Sequence, residues 1–300
     1  MNLTMRWQDW VWLVGIAAMF ASSFIFHKLA IPEIPPFTIA AGRVVISIPV
    51  ALVAMGVLGL RLPTQPAQWG QLGVLATTGV VVPFVAIAWG QQHIEAGLGG
   101  ILMATIPLFT VGLAPWLTPD EGFSLPRGLG ALGGLAGVVL VVGPLALAGV
   151  GGYLAGALVT LLAPLGYALT GIFVRRYGAI HPITLNGGQL LVGAVVLVPL
   201  AAWQDHPWGL SPSWPAMAGL VGIGMFGTVI PQLMFFPLVR RVGATNSSPL
   251  SLMITIFTVF YGAILLGELL PWNAFVGMAL ILGGAWFITG GGFRRKTQRG

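Results

Sequence analysis

PFTIAAGR at residues 36–43 returns as PITLNGGQ at residues 182–189, setting Thr38 opposite Thr184, Gly42 opposite Gly188 and Arg43 opposite Gln189. Outward from these blocks the same offset of 146 to 148 residues recurs. GVVVP ending at Pro83 answers GTVIP ending at Pro231, and IPLFT ending at Thr110 answers ITIFT ending at Thr258. Gly130 and Gly137 then match Gly277 and Gly284. A near-constant offset across four blocks marks duplication, with a first copy over residues 1–148 and a second over 149–300.

The two copies lie in a chain with 57% hydrophobic and 7% charged residues, where a soluble domain carries about 25% charged residues. That is too little charge to coat a water-facing surface. Apolar stretches of about 20 residues, enough to cross the hydrocarbon core, fall at Trp10 to Phe26, Phe37 to Leu60, Trp69 to Gly90, Ala96 to Leu117 and Gly128 to Leu147. Five more run over Gly151 to Val174, Ile183 to Trp203, Trp214 to Val239, Gly243 to Leu266 and Trp272 to Phe293. Unbroken apolar runs exclude the ten-residue alternation of outer-membrane barrels. The expected fold is an all-α integral membrane protein of ten transmembrane helices. The first stretch, behind Arg6 alone, suits a retained span better than a cleaved signal. With five spans per copy, the second copy must enter from the opposite side, so the five-helix repeats are inverted, as in many secondary transporters that alternate around a midplane site.

Charge gives the orientation independently, because cytoplasmic loops collect Lys and Arg. With the N-terminus inside, the inner segments hold Arg6, Arg61, Arg127, Arg175, Arg176, Arg240, Arg241, Arg294, Arg295, Lys296 and Arg299, and the outer loops hold only Lys28. Both termini are therefore expected in the cytoplasm, with the chain multi-pass in a bacterial-type inner membrane. The net charge of +6 reads as topology rather than as a nucleic-acid surface, which leaves lipid and a small solute as partners. Cysteine is absent, no HExxH-type metal spacing occurs, and no cofactor is implied. Most tryptophans sit where a span meets the interface, as belt residues do.

The run AGLGGILMATIPLFT from Ala96 to Thr110, with Pro107, resembles the fourth helix of the drug/metabolite transporter superfamily in its ten-helix EamA-type form. GELLPWNAFVGMALILGG from Gly267 to Gly284 is similar to that family's glycine-glutamate turn and last helix. The resemblance covers essentially the whole chain. Short termini with aromatic and methionine content look most like the YddG-like amino-acid exporter branch. Two departures make the halves unequal: Thr255 stands where the second half would match Pro107, and Pro119, Asp120 and Glu121 stand where a glycine-glutamate pair is expected.

An ionisable residue inside a membrane costs about 2.5–3.5 kcal/mol at a helix centre on insertion scales and is functional by default. Arg43 lies well inside the second span, where it either meets substrate or a gate, or ties to helix-end carbonyls or an outer-loop acid. Gln189 is its neutral counterpart. The carboxylates all fall at loops or helix ends, and Glu268 is expected to cap the turn between helices nine and ten. His93 and Glu95 end the third span as an interfacial pair or a protonation gate. Counting from span centres gives a midplane band of Ser22, Ser23, Thr78, Thr105, Tyr167, Thr170, Thr228, Gln232 and Thr255. Pro83, Pro107, Pro164 and Pro231 punctuate that layer, each removing a donor and freeing an upstream carbonyl. They are candidate hinges. Arg43, Ser22, Ser23, Thr78, Thr105, Tyr167, Gln189 and Gln232 are the candidate substrate ligands. A band without carboxylate or histidine favours a facilitator or exchanger over an obligatory proton antiporter. Glycines at small-xxx-small spacing, Gly130 with Gly134, Gly133 with Gly137 and Gly152 with Gly156, suit close helix packing.

The reading is a non-enzymatic secondary transporter exporting small organic metabolites, foremost aromatic or other neutral amino acids, by alternating access. The alternatives are a multidrug, sugar-phosphate or nucleoside transporter of the same fold, or a membrane-embedded enzyme.

Overall fold

A computed structural model of the chain describes residues 6–117, 125–147, 152–177, 180–242 and 249–288. The expected determinants Asp120, Glu121, Arg294, Arg295, Lys296 and Arg299 lie outside the described residues. In chain order the helices are α1 (Trp7–Ala30), α2 (Pro36–Val57), α3 (Pro66–Gly90), α4 (Ala96–Leu117) and α5 (Leu125–Leu147). They continue with α6 (Tyr153–Tyr177), α7 (Pro182–Gln204), α8 (Trp214–Gly224 followed by Met225–Val229 and Ile230–Val242), α9 (Leu250–Leu265) and α10 (Trp272–Ile288). No strand occurs among the described residues. By length and apolar character α1, α2, α3, α4, α6, α7 and α8 suffice to cross a membrane, and α9, α10 and the Gly128–Gly143 part of α5 are shorter apolar helices.

Backbone satisfaction explains the all-helical build, since a chain this apolar has no water to satisfy its amides and must pair them within each segment. Proline starts α2, α3 and α7 at positions whose N–H would be unpaired anyway.

The matching helices α2 and α7 run antiparallel, as do α5 and α10. Met55 near the end of α2 meets Gly187 near the start of α7, while Thr38 at the start of α2 bonds Asp205 beyond the end of α7. In α5 and α10, a methyl group on Gly130 would meet the Gly284 carbonyl at 2.8 Å, and one on Gly137 would meet the Gly277 carbonyl at 2.6 Å. These are the four glycines matched in the sequence. Absent Cβ atoms let the two backbones touch, the packing that replaces a hydrophobic drive between helices in lipid. Gly133 has open space where its side chain would be. Its spacing to Gly137 therefore does not mark one packed face.

The first helix of each half packs on the third helix of the other. Gly219, Gly222 and Gly227 of α8 receive Phe26 and Ser23 of α1, and Gly156 and Gly166 of α6 receive Gly90, Thr78 and Pro83 of α3. Polar groups tie the ends of these helices. Lys28 donates to the Gln91 and Ile94 carbonyls at 2.9 and 2.6 Å, and Asp9 pairs with Arg241. Glu33 accepts from the Ser213 backbone N–H and hydroxyl, each at 2.5 Å.

Candidate functional site

Helices α3 and α8 each carry one π turn, Thr77–Val81 and Met225–Val229, 148 residues apart. Val82 N–H donates to the Thr77 carbonyl and Ile230 N–H to the Met225 carbonyl, five residues back in both cases. Pro83 and Pro231 follow directly. A proline at position i cannot donate to carbonyl i−4 and its ring crowds that carbonyl, so Pro83 frees Gly79 and Pro231 frees Gly227. Turns of this kind concentrate at functional sites.

Each freed glycine lies against the second helix of the other half. Arg43 on α2 donates from Nη2 to the Gly227 carbonyl at 3.0 Å and from Nε to Thr228 Oγ1 at 2.6 Å, and the Thr228 hydroxyl donates onward to the Ile223 carbonyl at 2.9 Å. Ser47, one turn along α2, donates to the Gly224 carbonyl at 2.9 Å. The guanidinium carbon sits 3.7 Å from the Phe84 ring centroid, a desolvated cation–π contact of about 2 kcal/mol. Arg43 is 5% exposed, and its Nη1 has no hydrogen-bond partner. On the other side, a side chain at Gly79 would meet Gln189 Oε1 at 2.8 Å and Thr170 Oγ1 at 3.0 Å, and one at Gly227 would meet Ser23 Cβ at 2.4 Å. Arg43, Ser23 and Gly227 thus match Gln189, Thr170 and Gly79, one set cationic and the other neutral.

The predicted band only partly converges. Ser23, Thr228 and Arg43 meet at the α8 turn, with Tyr167 within electrostatic reach of Arg43. Thr78 shares a 2.8 Å hydrogen bond with Thr170 beside Gln189. Gln232, one turn beyond Thr228, has its Oε1 buried without a partner. Ser22 spends its hydroxyl on the Met19 carbonyl, 2.7 Å away. Thr105 donates to the Leu102 carbonyl at 2.7 Å and lines an apolar cavity of about 430 Å³ between α4, α5 and α6, with Leu108, Leu132 and Leu161. Thr255 reaches across to the Gly100 carbonyl at 3.0 Å. Pro107 follows the break between Ala96–Met103 and Ile106–Leu117, and Pro164 lies inside α6.

Three expectations change. His93 and Glu95 take separate duties: His93 stacks on Trp89 at 4.3 Å and fills the space over Gly152, whereas Glu95 precedes α4 within electrostatic reach of Lys28. Glu268 does not cap its own turn. It accepts from the Ala96 and Gly97 amides at 2.7 and 2.8 Å, capping the start of α4, whose unsatisfied N–H groups and positive dipole end favour a carboxylate. Finally, a histidine does stand near the band, His27. Its ring is completely buried, Nδ1 lies 2.7 Å from the Ser23 carbonyl, Nε2 has no partner, and Arg43 is within electrostatic reach. Its place near the end of α1 hid it, because depth along a helix says nothing of which face is covered. Among the described residues no group of three or more His, Asp or Glu side chains is placed to hold a metal.

The model of the EamA-like transporter family matches residues 10–143 and again 154–290. The chain belongs to the EamA-like transporter family. Proteins with similar sequences include the transporter YoaV of Bacillus subtilis, 21% identical over 95% of this chain and 98% of that one, and the transporter YcbK of the same organism, 30% identical over 70% and 68%. A protein of Streptantibioticus cattleyicolor named "probable terminal-alkyne amino-acid exporter" is 25% identical over 93% of this chain and 92% of its own. A solved crystal structure, 20% identical, superposes with a TM-score of 0.65 over 92% of this chain and 94% of the other, which shows a shared fold alone. As an EamA-like transporter the protein is a multi-pass membrane protein that handles small molecules.

Proposed function

We propose that this EamA-like transporter exports small organic metabolites, amino acids foremost, by alternating access between two inverted five-helix repeats, residues 1–148 and 149–300. Ten spans, both termini in the cytoplasm and a bacterial-type inner membrane complete the reading. The observation that carries it is the crossed pair of π turns. At the proline-freed glycine of each third helix stands a polar side chain of a second helix from the other half, Arg43 bonded to the Gly227 carbonyl and Gln189 Oε1 close against the side of Gly79 where a Cβ would be. Side chains at matching positions placed across the two halves fit two mirror-related conformations. Similarity to a protein named as an amino-acid exporter supports the solute class. Purified protein in proteoliposomes loaded with radiolabelled neutral amino acids tests it. Saturable efflux above protein-free vesicles is expected, and efflux equal to those vesicles for every amino acid tried rejects the substrate class.

A further inference from the structure

Arg43 is a buried cation with no counter-charge among the described residues. Its partners are a hydroxyl, a carbonyl and an aromatic ring, all uncharged, and one guanidinium nitrogen is unpartnered at 5% exposure. A buried charge without a paired anion is costly. The described acids are placed elsewhere: Asp9 on Arg241, Glu33 on Ser213, Asp205 on Thr38, Glu268 on the α4 amides, and Glu95 near Lys28. The other nearby cation, Lys28, is held by the Gln91 and Ile94 carbonyls.

A second orphan atom sits one turn beyond Thr228. Gln232 follows Thr228 by four residues in α8, which puts the two on one face with Cβ atoms about 6 Å apart. Its Oε1 is buried and accepts from nothing among the described residues. The orphan acceptor thus belongs to a residue one helical turn beyond the hydroxyl that Arg43 holds, on the same face of α8. Two hydrogen bonds of about 3 Å each, joined through adjacent carbons of one small molecule, bridge about one helical turn.

We infer that Arg43 Nη1 is the carboxylate subsite of the transported solute and that Gln232 Oε1 receives the ammonium or hydroxyl on the neighbouring carbon. The inference rests on the transporter reading and gives its site a charge requirement. The solute is a monoanion at this point, because one unpaired guanidinium balances one carboxylate and leaves a phosphate dianion half compensated.

The test holds the side chain constant and removes one group at a time. Binding to the purified wild-type protein is measured by competition and by thermal stabilisation for phenylalanine, phenylalaninamide, phenethylamine, 3-phenylpropanoate and phenyl phosphate, and for the matching leucine series. Loss of the carboxylate should weaken binding roughly ten- to a hundred-fold, the span of a charged hydrogen bond, while loss of the ammonium weakens it less. Arg43→Gln should abolish discrimination between acid and amide. Gln232→Leu should keep that discrimination and erase the preference for phenylalanine over 3-phenylpropanoate. Equal binding of amide and acid by the wild type, which needs no variant to fold, overturns the subsite, as does tighter binding of phenyl phosphate. Export of a neutral solute with no carboxylate bound overturns it too while leaving the transporter reading intact. Carboxylate binding without efflux would instead sink transport and leave the subsite standing.

Discussion

Arg43 and Gln189 occupy matching posts on α2 and α7, and each lies at the glycine of a π turn in the other half: Arg43 donates to the Gly227 carbonyl at 3.0 Å, and Gln189 Oε1 lies over Gly79. Matching posts thus hold a charge on one side and a neutral amide on the other. Such a difference makes the two faces of an otherwise repeated scaffold chemically distinct.

The prolines after those turns should govern conformational exchange. Replacing Pro231 with Ala introduces an N–H that competes with Arg43 for the Gly227 carbonyl and adds about 1 kcal/mol of helix hydrogen bonding. Pro83→Ala does the same at Gly79. Both variants are expected to remain folded and to show slower efflux from proteoliposomes. Wild-type efflux rates in both would leave the prolines a packing role only.

The glycine contacts between α5 and α10 should tolerate little. A methyl group at Gly137 or Gly284 meets backbone carbonyls at 2.6 and 2.3 Å, which cannot rotate away, whereas at Gly42 it meets the flexible end of Leu220. Overpacking of this kind costs about 1–3 kcal/mol. Thermal unfolding in detergent should show Gly137→Ala and Gly284→Ala clearly destabilised, Gly42→Ala mildly so and Gly133→Ala unchanged.

Capping by acids from distant helices gives a third expectation. Glu268→Ala leaves the Ala96 and Gly97 amides unsatisfied and should cost about 1 kcal/mol, seen as a lowered unfolding midpoint that Glu268→Gln restores in part.

At the Glu33 contact, hydrogen bonds from the Ser213 hydroxyl and then its backbone N–H hold the carboxyl below the usual carboxylate range. A depressed value means that the contact stabilises the folded chain above the ordinary value of 4.5 and that this contribution is lost as pH falls through the folded value. Unfolding midpoints of the wild type and Glu33→Gln should therefore differ at neutral pH and converge as the pH falls below the depressed folded value. A difference that persists in acid would show that the carboxylate charge is not its source.

Orientation has its own measurement. Reporters fused at Pro63, between α2 and α3, and at Leu210, between α7 and α8, should fall on opposite sides, the first cytoplasmic. Both on one side would refute the ten-span register.

The sequence by itself determined the duplication, the helical class and the places where helices are interrupted. These depend on local rules: apolar length sets a span, and proline at 83 or 231 removes a donor wherever it stands in a helix. Even the antiparallel sense of the halves was expected there, from an odd number of apolar stretches in each. The tertiary structure decided which faces meet. Arg43 and Thr228 are 185 residues apart, and helices apolar all round carry little amphipathic signal to tell a covered face from one turned to lipid. His27 was therefore legible as a helix-end residue but not as a buried one, Glu268 as a capping acid but not as the cap of α4, and Thr105 as a hydroxyl at mid-depth but not as part of an apolar cleft. Only packing brings Gly227 to Arg43 and Ser23: the absence of a Cβ there has meaning once Ser23 fills that space, while the guanidinium takes the carbonyl.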